Sequence, residues 1–292
     1  MVRVQHSTST FSAPDGLTLF AQAWQPERAP RAVVLLAHGV GEHSGRYQHV
    51  AAHLVRRGYA VHALDHRGHG RSAGRRVFIR RFDEYTNDLL VYFEQVRMQH
   101  SGAPLLVYGH SMGSIIALRF ALRHQSELAG LITTGTALRL PVSLPAPVVA
   151  LARRLAPFAG QVPVIAPIAL DGLSRDPQVI ADYKADPLVH WGRMRLGWAV
   201  EMFDAAQEAE RRLPDLRLPY LALHGADDPI TLPEGAEIVR ERAGSPELTV
   251  RVYPGLRHEI HNEPEQAQVL NDIGAWLDER INGRAPDGSD PS

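Results

Sequence analysis

The 292-residue sequence contains no cysteine, which excludes disulfides, thiolate nucleophiles and cysteine-based zinc sites. It also lacks an excess of charge: the formal net charge is −1, so no overall field favours nucleic acid as a partner. Its longest apolar stretches fall short of the roughly 20 residues that a membrane-spanning helix needs. The first residues, MVRVQHSTSTF, lack the apolar segment of a secretory signal. We therefore expect a cytoplasmic protein that binds no nucleic acid.

Short apolar runs alternate with helix-like patterns along most of the chain. The predicted strands are residues 18–24, 32–37, 60–64, 105–108, 130–134, 220–223 and 248–252, and the predicted helices are residues 47–57, 82–99, 112–123, 233–242 and 263–279. The Pro14-Asp15-Gly16 turn pairs the first of these strands with the preceding STSTF as a hairpin. Continuous apolar strands alternating with helices predict an α/β fold with a mostly parallel sheet covered on both faces.

The stretch from residue 137 to residue 213 interrupts this alternation. Its prolines at 141, 145, 147, 157, 163 and 167 favour irregular surface structure over a regular helix. We interpret the stretch as a cap over the carboxyl edge of the sheet, where open α/β sheets bind ligands. The predicted organisation is a core of residues 1–136 and 214–281, a cap of residues 137–213, and a polar tail, residues 282–292, expected to be disordered.

The segment VYGHSMGSII, residues 107–116, places Ser111 where a predicted strand meets a predicted helix. Gly109 and Gly113 flank it in the pattern G-x-S-x-G. At such a junction the pattern indicates a nucleophile elbow, a sharp turn that needs small neighbours and exposes the serine hydroxyl. The backbone N–H of Met112, at the start of the helix, is then a candidate donor to an oxyanion.

A serine nucleophile needs a base and an acid that orients the base, and in this fold they follow the serine in the order acid, then histidine. The predicted strand 220–223 runs into HGADDPIT, which offers Asp227 or Asp228 at the strand end. The last predicted strand is followed by YPGLRHEIHNEPE, which places His258 in a loop before the final helix. A second oxyanion donor is expected after strand 32–37, where Val40 is the candidate.

The histidine-rich segment His62–Gly70 raises the alternative of a zinc site. No H-E-x-x-H pattern accompanies these histidines, and the acid among them is followed by a tight turn. A structural loop is therefore the favoured interpretation, and no metal is expected.

Several motifs together resemble the monoacylglycerol lipases of the α/β-hydrolase superfamily. They are HGVGEHSGRY, LDHRGHGRS, GHSMG, LSRDPQVIADYKADPL, LHGADDPI and YPGLRHEIHNEPE. The resemblance runs from about Phe11 to Ile281. GHSMG is common to many hydrolases, whereas HGVGEHSGRY and the cap motif are more specific. The resemblance implies an α/β-hydrolase fold with a cap, and a serine hydrolase that uses no metal or organic cofactor.

The resemblance also implies roles for individual residues. Ser111 would be the nucleophile, His258 the base and Asp228, rather than Asp227, the acid. Four polar residues would bind the glycerol leaving group: Glu42, Arg46, Tyr183 and His261. One departure is visible, because Ser114 stands where the family usually has a glycine. Its hydroxymethyl group is expected to shift the helix packing or the pocket wall slightly without removing a reacting group.

The leading hypothesis is hydrolysis of monoacylglycerols to fatty acid and glycerol through an acyl-enzyme. A lysophospholipase or a broad-specificity carboxylesterase is the alternative among hydrolases, and a non-catalytic lipid-binding module is the alternative outside them. The expected partner is a lipid ester, with transient docking of the apolar cap at a membrane surface. The sequence indicates no particular oligomeric state.

Overall fold

The computed structural model describes residues 3–141 and 145–282. The tail predicted to be disordered lies outside these residues, apart from Asn282, which ends the last helix.

An eight-stranded sheet forms the centre of the molecule, and its strands in spatial order are β1 (Gln5–Ser12), β2 (Thr18–Gln25), β4 (Ala60–Leu64), β3 (Val33–Ala37), β5 (Leu105–His110), β6 (Gly130–Thr134), β9 (Tyr220–Gly225) and β10 (Leu248–Tyr253). The first hairpin is antiparallel and joins β4 in the antiparallel sense, and the remaining pairs are parallel. Two further strands, β7 (Pro163–Ile165) and β8 (Met194–Arg195), form a separate small sheet.

Helices cover both faces of this sheet. They are α1 (Gln48–Arg56), α2 (Asp83–Gln99), α3 (Met112–His124), α4 (Ala146–Ala159), α5 (Pro177–Ala185), α6 (Leu196–Arg212), α7 (Glu234–Arg242) and α8 (Gln266–Asn282). Alternate residues of β3 enter opposite cores: Val33 and Leu35 pack with α2, α3 and α6, while Val34 and Leu36 pack with α1 and α8. Side chains alternate along a strand, so a strand buried on both faces must be apolar throughout. The predicted α/β-hydrolase architecture is confirmed.

Residues 137–213 leave the sheet after β6 and return to it at β9. In this stretch α4 packs on α6, and α6 packs along α3. The expectation of irregular structure was wrong for α4, which is a regular helix although it contains Pro147 and Pro157. Pro147 lies in the first turn, where a missing N–H costs nothing, and Pro157 lies near the carboxyl end. The surface position was predicted correctly, since no residue of α4 is buried.

No helix within the described ranges is both long and apolar enough to cross a membrane.

The junction of β5 and α3 is the tightest backbone packing at the carboxyl edge of the sheet. A Cβ atom built on Gly109 would lie 2.1 Å from the carbonyl oxygen of Gly113, and one built on Gly113 would lie 2.0 Å from the carbonyl oxygen of Ala37. Both distances are far inside van der Waals contact, so neither position accepts a side chain without moving the backbone. The two glycines therefore let α3 begin directly against β3 and β5.

Candidate active site

Ser111 connects β5 to α3 with φ 53° and ψ −120°, a conformation that residues other than glycine rarely adopt. Two backbone hydrogen bonds hold it there: Ser111 N–H donates to the carbonyl oxygen of Thr134 (3.0 Å), and Ser114 N–H donates to that of Ser111 (2.9 Å). Strain of this kind persists only when the surrounding structure enforces it, and it is concentrated at functional sites. The serine is thus fixed at the carboxyl edge of the sheet.

Asp228 and His258 form a buried pair at the same edge. Asp228 follows β9, His258 follows β10, and His258 Nδ1 lies 2.8 Å from Asp228 Oδ2. The carboxylate also accepts hydrogen bonds from the N–H groups of Ile230 (2.8 Å) and Thr231 (2.9 Å), and from the Thr231 hydroxyl (2.9 Å). Asp228 is 3% exposed and contacts the histidine, whereas Asp227 is exposed. The structure therefore brings Asp228, not its neighbour, to the candidate base.

The charges of this pair determine how both groups titrate. Burial alone would raise the pKa of Asp228, but the imidazoles of His258 and His224 outweigh it and hold the pKa well below its ordinary value. For His258, burial lowers the pKa, and the Asp228 carboxylate outweighs this effect and raises the pKa above its ordinary value of 6.5. Asp228 is consequently ionised at neutral pH and favours the protonated form of His258.

His110 links this pair to the elbow. It is the residue before Ser111, and the centre of its ring lies 4.7 Å from that of His258. Within residues 3–141 and 145–282 no hydrogen bond joins the Ser111 hydroxyl to His258. Such contacts are often long in hydrolases without substrate and shorten in the reacting complex.

The loop after β3 carries the second candidate oxyanion donor, Val40, and is held from two sides. Gly39 N–H donates to Glu42 Oε1 (2.6 Å) from the core side. His190, from residues 137–213, donates its backbone N–H to the carbonyl oxygen of Gly41 (2.7 Å). Met112 N–H is the first N–H of α3, where helical N–H groups have no helical acceptor. Both candidate donors are therefore on rigidly anchored backbone.

A buried chain of ionic groups joins the Val40 loop to the His258 loop. The Arg46 guanidinium donates to Glu42 Oε2 (2.6 Å) and binds both oxygens of Glu259 (2.6 and 2.7 Å). Burial would raise the pKa of Glu259, but Arg46 outweighs it and lowers the pKa to about 2. The Tyr47 hydroxyl donates to Glu42 Oε1 (2.6 Å). Both loops are therefore held in register through Arg46, which contacts a carboxylate from each of them.

Sequence reasoning missed Glu259. The residue stands in the YPGLRHEIHNEPE motif directly after His258, but nothing in the sequence separates a buried carboxylate from one on a solvated loop. Thr231 was also missed. Its position three residues after Asp228 was the available signal, because aspartate commonly binds the groups of its own turn.

Tyr183 and His261 also lie at this edge. The Arg46 guanidinium sits over the Tyr183 ring, 4.6 Å from its centre. His261 is 0% exposed, stacks on Tyr47 with ring centres 4.9 Å apart, and meets the edge of His110 at 4.8 Å. Neither of its ring nitrogens has a partner in the described part of the chain. Burial lowers the pKa of His261 to about 3, so the ring is neutral. All four residues predicted for the leaving group thus lie around the same edge.

Ser114 has a defined role in the packing of the elbow. Its hydroxyl donates to the carbonyl oxygen of Ser111 (2.5 Å) and accepts the N–H of Ala137 (3.0 Å). The Ser114 hydroxyl therefore bridges the elbow and the start of residues 137–213, and the expected shift of packing stays a prediction.

The histidines of the segment 62–70 form packing contacts instead of a ligand cluster. The rings of His66 and His69 lie against His38 and Tyr85. In the residues that the structure describes, no group of three or more histidine, aspartate or glutamate side chains is arranged to hold a metal ion.

Similarity to known proteins agrees with this geometry. The family model described as serine aminopeptidase, S33 matches residues 28–265. The chain is 38% identical to the monoacylglycerol lipase of Mycolicibacterium smegmatis, over 95% of this chain and 99% of that protein. It is 31% identical to the human monoglyceride lipase, over 91% of this chain and 88% of the relative.

A solved structure is also similar over nearly the whole chain. It is a soluble variant of monoglyceride lipase from Saccharomyces cerevisiae in complex with a substrate analog. It superposes with a TM-score of 0.81 at 27% identity and covers 96% of this chain and 95% of that one. The chain therefore belongs to the serine aminopeptidase S33 hydrolases and, within them, to the monoacylglycerol lipase family of α/β-hydrolases.

Proposed function

We propose that the chain hydrolyses monoacylglycerols to fatty acid and glycerol, with Ser111, Asp228 and His258 as its catalytic triad. The observation that carries the proposal is the buried Asp228–His258 pair, held through His110 against the strained elbow at Ser111. The names of the relatives support the substrate class. No metal or organic cofactor takes part.

In this mechanism His258 removes the proton of the Ser111 hydroxyl through Nε2, and Oγ attacks the ester carbonyl. The N–H groups of Val40 and Met112 stabilise the oxyanion, and each such donor is typically worth about 10²–10³ in rate. Asp228 stabilises the imidazolium ion that forms. The glycerol oxygen takes this proton as it leaves, and water, activated in turn by His258, hydrolyses the acyl-enzyme.

The polar groups near the triad suit a small neutral alcohol. Glycerol loses water when it enters a buried site, and each hydroxyl left without a partner costs about 1–3 kcal/mol. Arg46 already binds the carboxylates of Glu42 and Glu259, so in this proposal Glu42 and Arg46 form the wall of this site. Neither ring nitrogen of His261 has a partner among residues 3–141 and 145–282, and in this proposal His261 and Tyr183 bind the leaving group.

Residues 137–213 act, in this proposal, as a cap that covers the site and docks on lipid. Their outer surface carries a row of exposed apolar side chains, with Phe158 91% exposed: Val148, Leu151, Leu155, Phe158, Val162 and Val164. Exposed apolar patches of this kind mark interaction surfaces. Because the net charge is −1, apolar contact rather than charge would hold the protein at the lipid.

The assignment of Asp228 as the catalytic acid is tested by substituting each of the two adjacent aspartates separately. We expect Asp228→Asn to lower kcat by roughly 10³–10⁴, as loss of the orienting acid does in other triads. Asp227→Asn is the matched control and should cost far less, because Asp227 is exposed. Steady-state hydrolysis of a monoacylglycerol measures both. A larger loss in Asp227→Asn would contradict the assignment.

The leaving-group site is tested with two esters of one fatty acid. His261→Ala should reduce kcat/KM for the monoacylglycerol clearly more than for the p-nitrophenyl ester, because only the first has hydroxyls for His261 to bind. Tyr183→Phe, which removes only the phenolic oxygen, should show the same preference. Equal loss on both esters would assign His261 to support of the triad and would remove the glycerol-site proposal.

Lipid docking is tested on the exposed face of α4. We expect the double change Val148→Asp with Leu151→Asp to weaken the increase of activity on liposomes over activity on dispersed substrate. Met98→Asp is the matched control, because Met98 is 71% exposed on α2, outside the cap. If the double variant keeps the liposome dependence of the unmodified protein, docking through α4 is wrong.

A further inference from the structure

A second buried histidine, His224, lies beside Asp228. It is the next-to-last residue of β9, and its side chain is fully buried. Its Nε2 atom lies 2.8 Å from the carbonyl oxygen of Thr231 and 3.2 Å from Asp228 Oδ2. In the described part of the chain its Nδ1 atom has no hydrogen-bond partner. Buried polar atoms usually have one, so the polar contacts of this ring within that part are made by Nε2 alone.

The contact with Thr231 determines which nitrogen of His224 carries a proton. A carbonyl oxygen only accepts hydrogen bonds, so the 2.8 Å contact requires a proton on Nε2. The partial positive charge of this N–H also lies near Asp228 Oδ2 and favours the ionised form of the carboxylate. One N–H group of His224 therefore lies beside both the first and the last residue of the turn from Asp228 to Thr231.

This turn sets the direction of the Asp228 carboxylate. Asp228 Oδ1 accepts the N–H groups of Ile230 and Thr231, which leaves Oδ2 for His258 Nδ1 at 2.8 Å. The Thr231 hydroxyl donates to the same Oδ2 (2.9 Å). Because both carboxylate oxygens bind Thr231, a displacement of Thr231 would turn the carboxylate relative to His258. The hydrogen bond from His224 holds the Thr231 carbonyl group against the end of β9 and opposes this displacement.

We propose that His224 is a positioning residue of the triad, whose Nε2–H holds the turn from Asp228 to Thr231 and keeps Asp228 Oδ2 directed at His258. The inference rests on the proposed function, because it needs Asp228 to act as the catalytic acid. In this role His224 acts on the acid and not on the substrate. Its loss should therefore lower kcat and change KM little.

Substitutions at 224, assayed on a p-nitrophenyl ester, test this role. We expect His224→Leu, which removes the donor, to lower kcat by about 10², the loss that a small misplacement of a reacting group causes. His224→Gln should restore most of kcat, because its amide nitrogen is as many bonds from Cβ as Nε2 of histidine is. His224→Asn is one bond shorter and should stay slow, and it takes the place of His224→Leu if leucine prevents folding. Thermal unfolding shows which variants fold.

His62→Leu is the matched control. His62 is a buried histidine of β4, another strand of the same sheet, and its Nε2 atom lies 2.9 Å from His100 Nε2. Replacing it also removes a buried imidazole and its polar contact, but at a distance from the triad. Its kcat should stay close to that of the unmodified protein.

A double-mutant cycle with Asp228→Asn separates positioning of the acid from general support of the fold. If His224 acts through the acid, His224→Leu combined with Asp228→Asn should be no slower than Asp228→Asn alone, because the group that His224 positions is already lost. His224→Asn replaces leucine in the cycle if needed. Losses that multiply in the double variant would overturn the proposal. So would full activity of His224→Asn, no recovery in His224→Gln, or an equal loss in His62→Leu.

Failure of this inference is distinguishable from failure of the proposed function. A slow Asp228→Asn beside a fully active His224→Leu would contradict the role of His224 alone. Full activity of Asp228→Asn would contradict the triad and the role of His224 with it. Poor hydrolysis of monoacylglycerol by the unmodified protein, with the p-nitrophenyl ester still cleaved, would contradict only the substrate.

Discussion

The close approach of three backbone segments at Gly109 and Gly113 is the constraint on which the site depends. A side chain at either position would overlap a carbonyl oxygen, that of Gly113 or that of Ala37. Because α3 can start only there, Ser111 is forced into its strained turn at the edge of the sheet. The same contact places the end of β3, and hence the Val40 loop, beside Ser111. This backbone contact therefore positions both Ser111 and the two candidate oxyanion donors.

The strands bring their following loops to one edge of the sheet, and buried ion pairs then fix the conformations of these loops. Removing an ion from water is expensive, and leaving one partner of a buried pair alone is strongly destabilising. Asp228 is matched by His258, and Glu42 and Glu259 share Arg46. These contacts cross between loops that follow β3, β9 and β10, so each loop conformation is tied to another. Residues 137–213 join this arrangement through His190 at Gly41 and Arg195 at Arg76.

The sequence predicted those features that follow from local pattern. Continuous apolar runs predicted seven strands of the main sheet to within a few residues, and G-x-S-x-G between a strand and a helix predicted the turn at Ser111. Predictions from local pattern failed where tertiary packing determines the conformation or the burial of a residue. Prolines suggested an irregular segment at α4, yet Pro147 and Pro157 occupy turns that tolerate them. The burial of Glu259 depends on Arg46, a partner distant in sequence, so no local signal could reveal it.

The central claim is that His258, paired with Asp228, activates Ser111, and the pH dependence of labelling by a fluorophosphonate probe tests it most directly. Only an activated serine reacts with such a probe, and the modified residue can be identified by mass spectrometry of peptides. The account predicts modification at Ser111 alone. The rate should rise with pH through a midpoint above 6.5, because the Asp228 carboxylate raises the pKa of His258 and only the neutral ring can accept the proton. Modification of another serine, or a rate at Ser111 that stays constant between about pH 5 and 8, would contradict it.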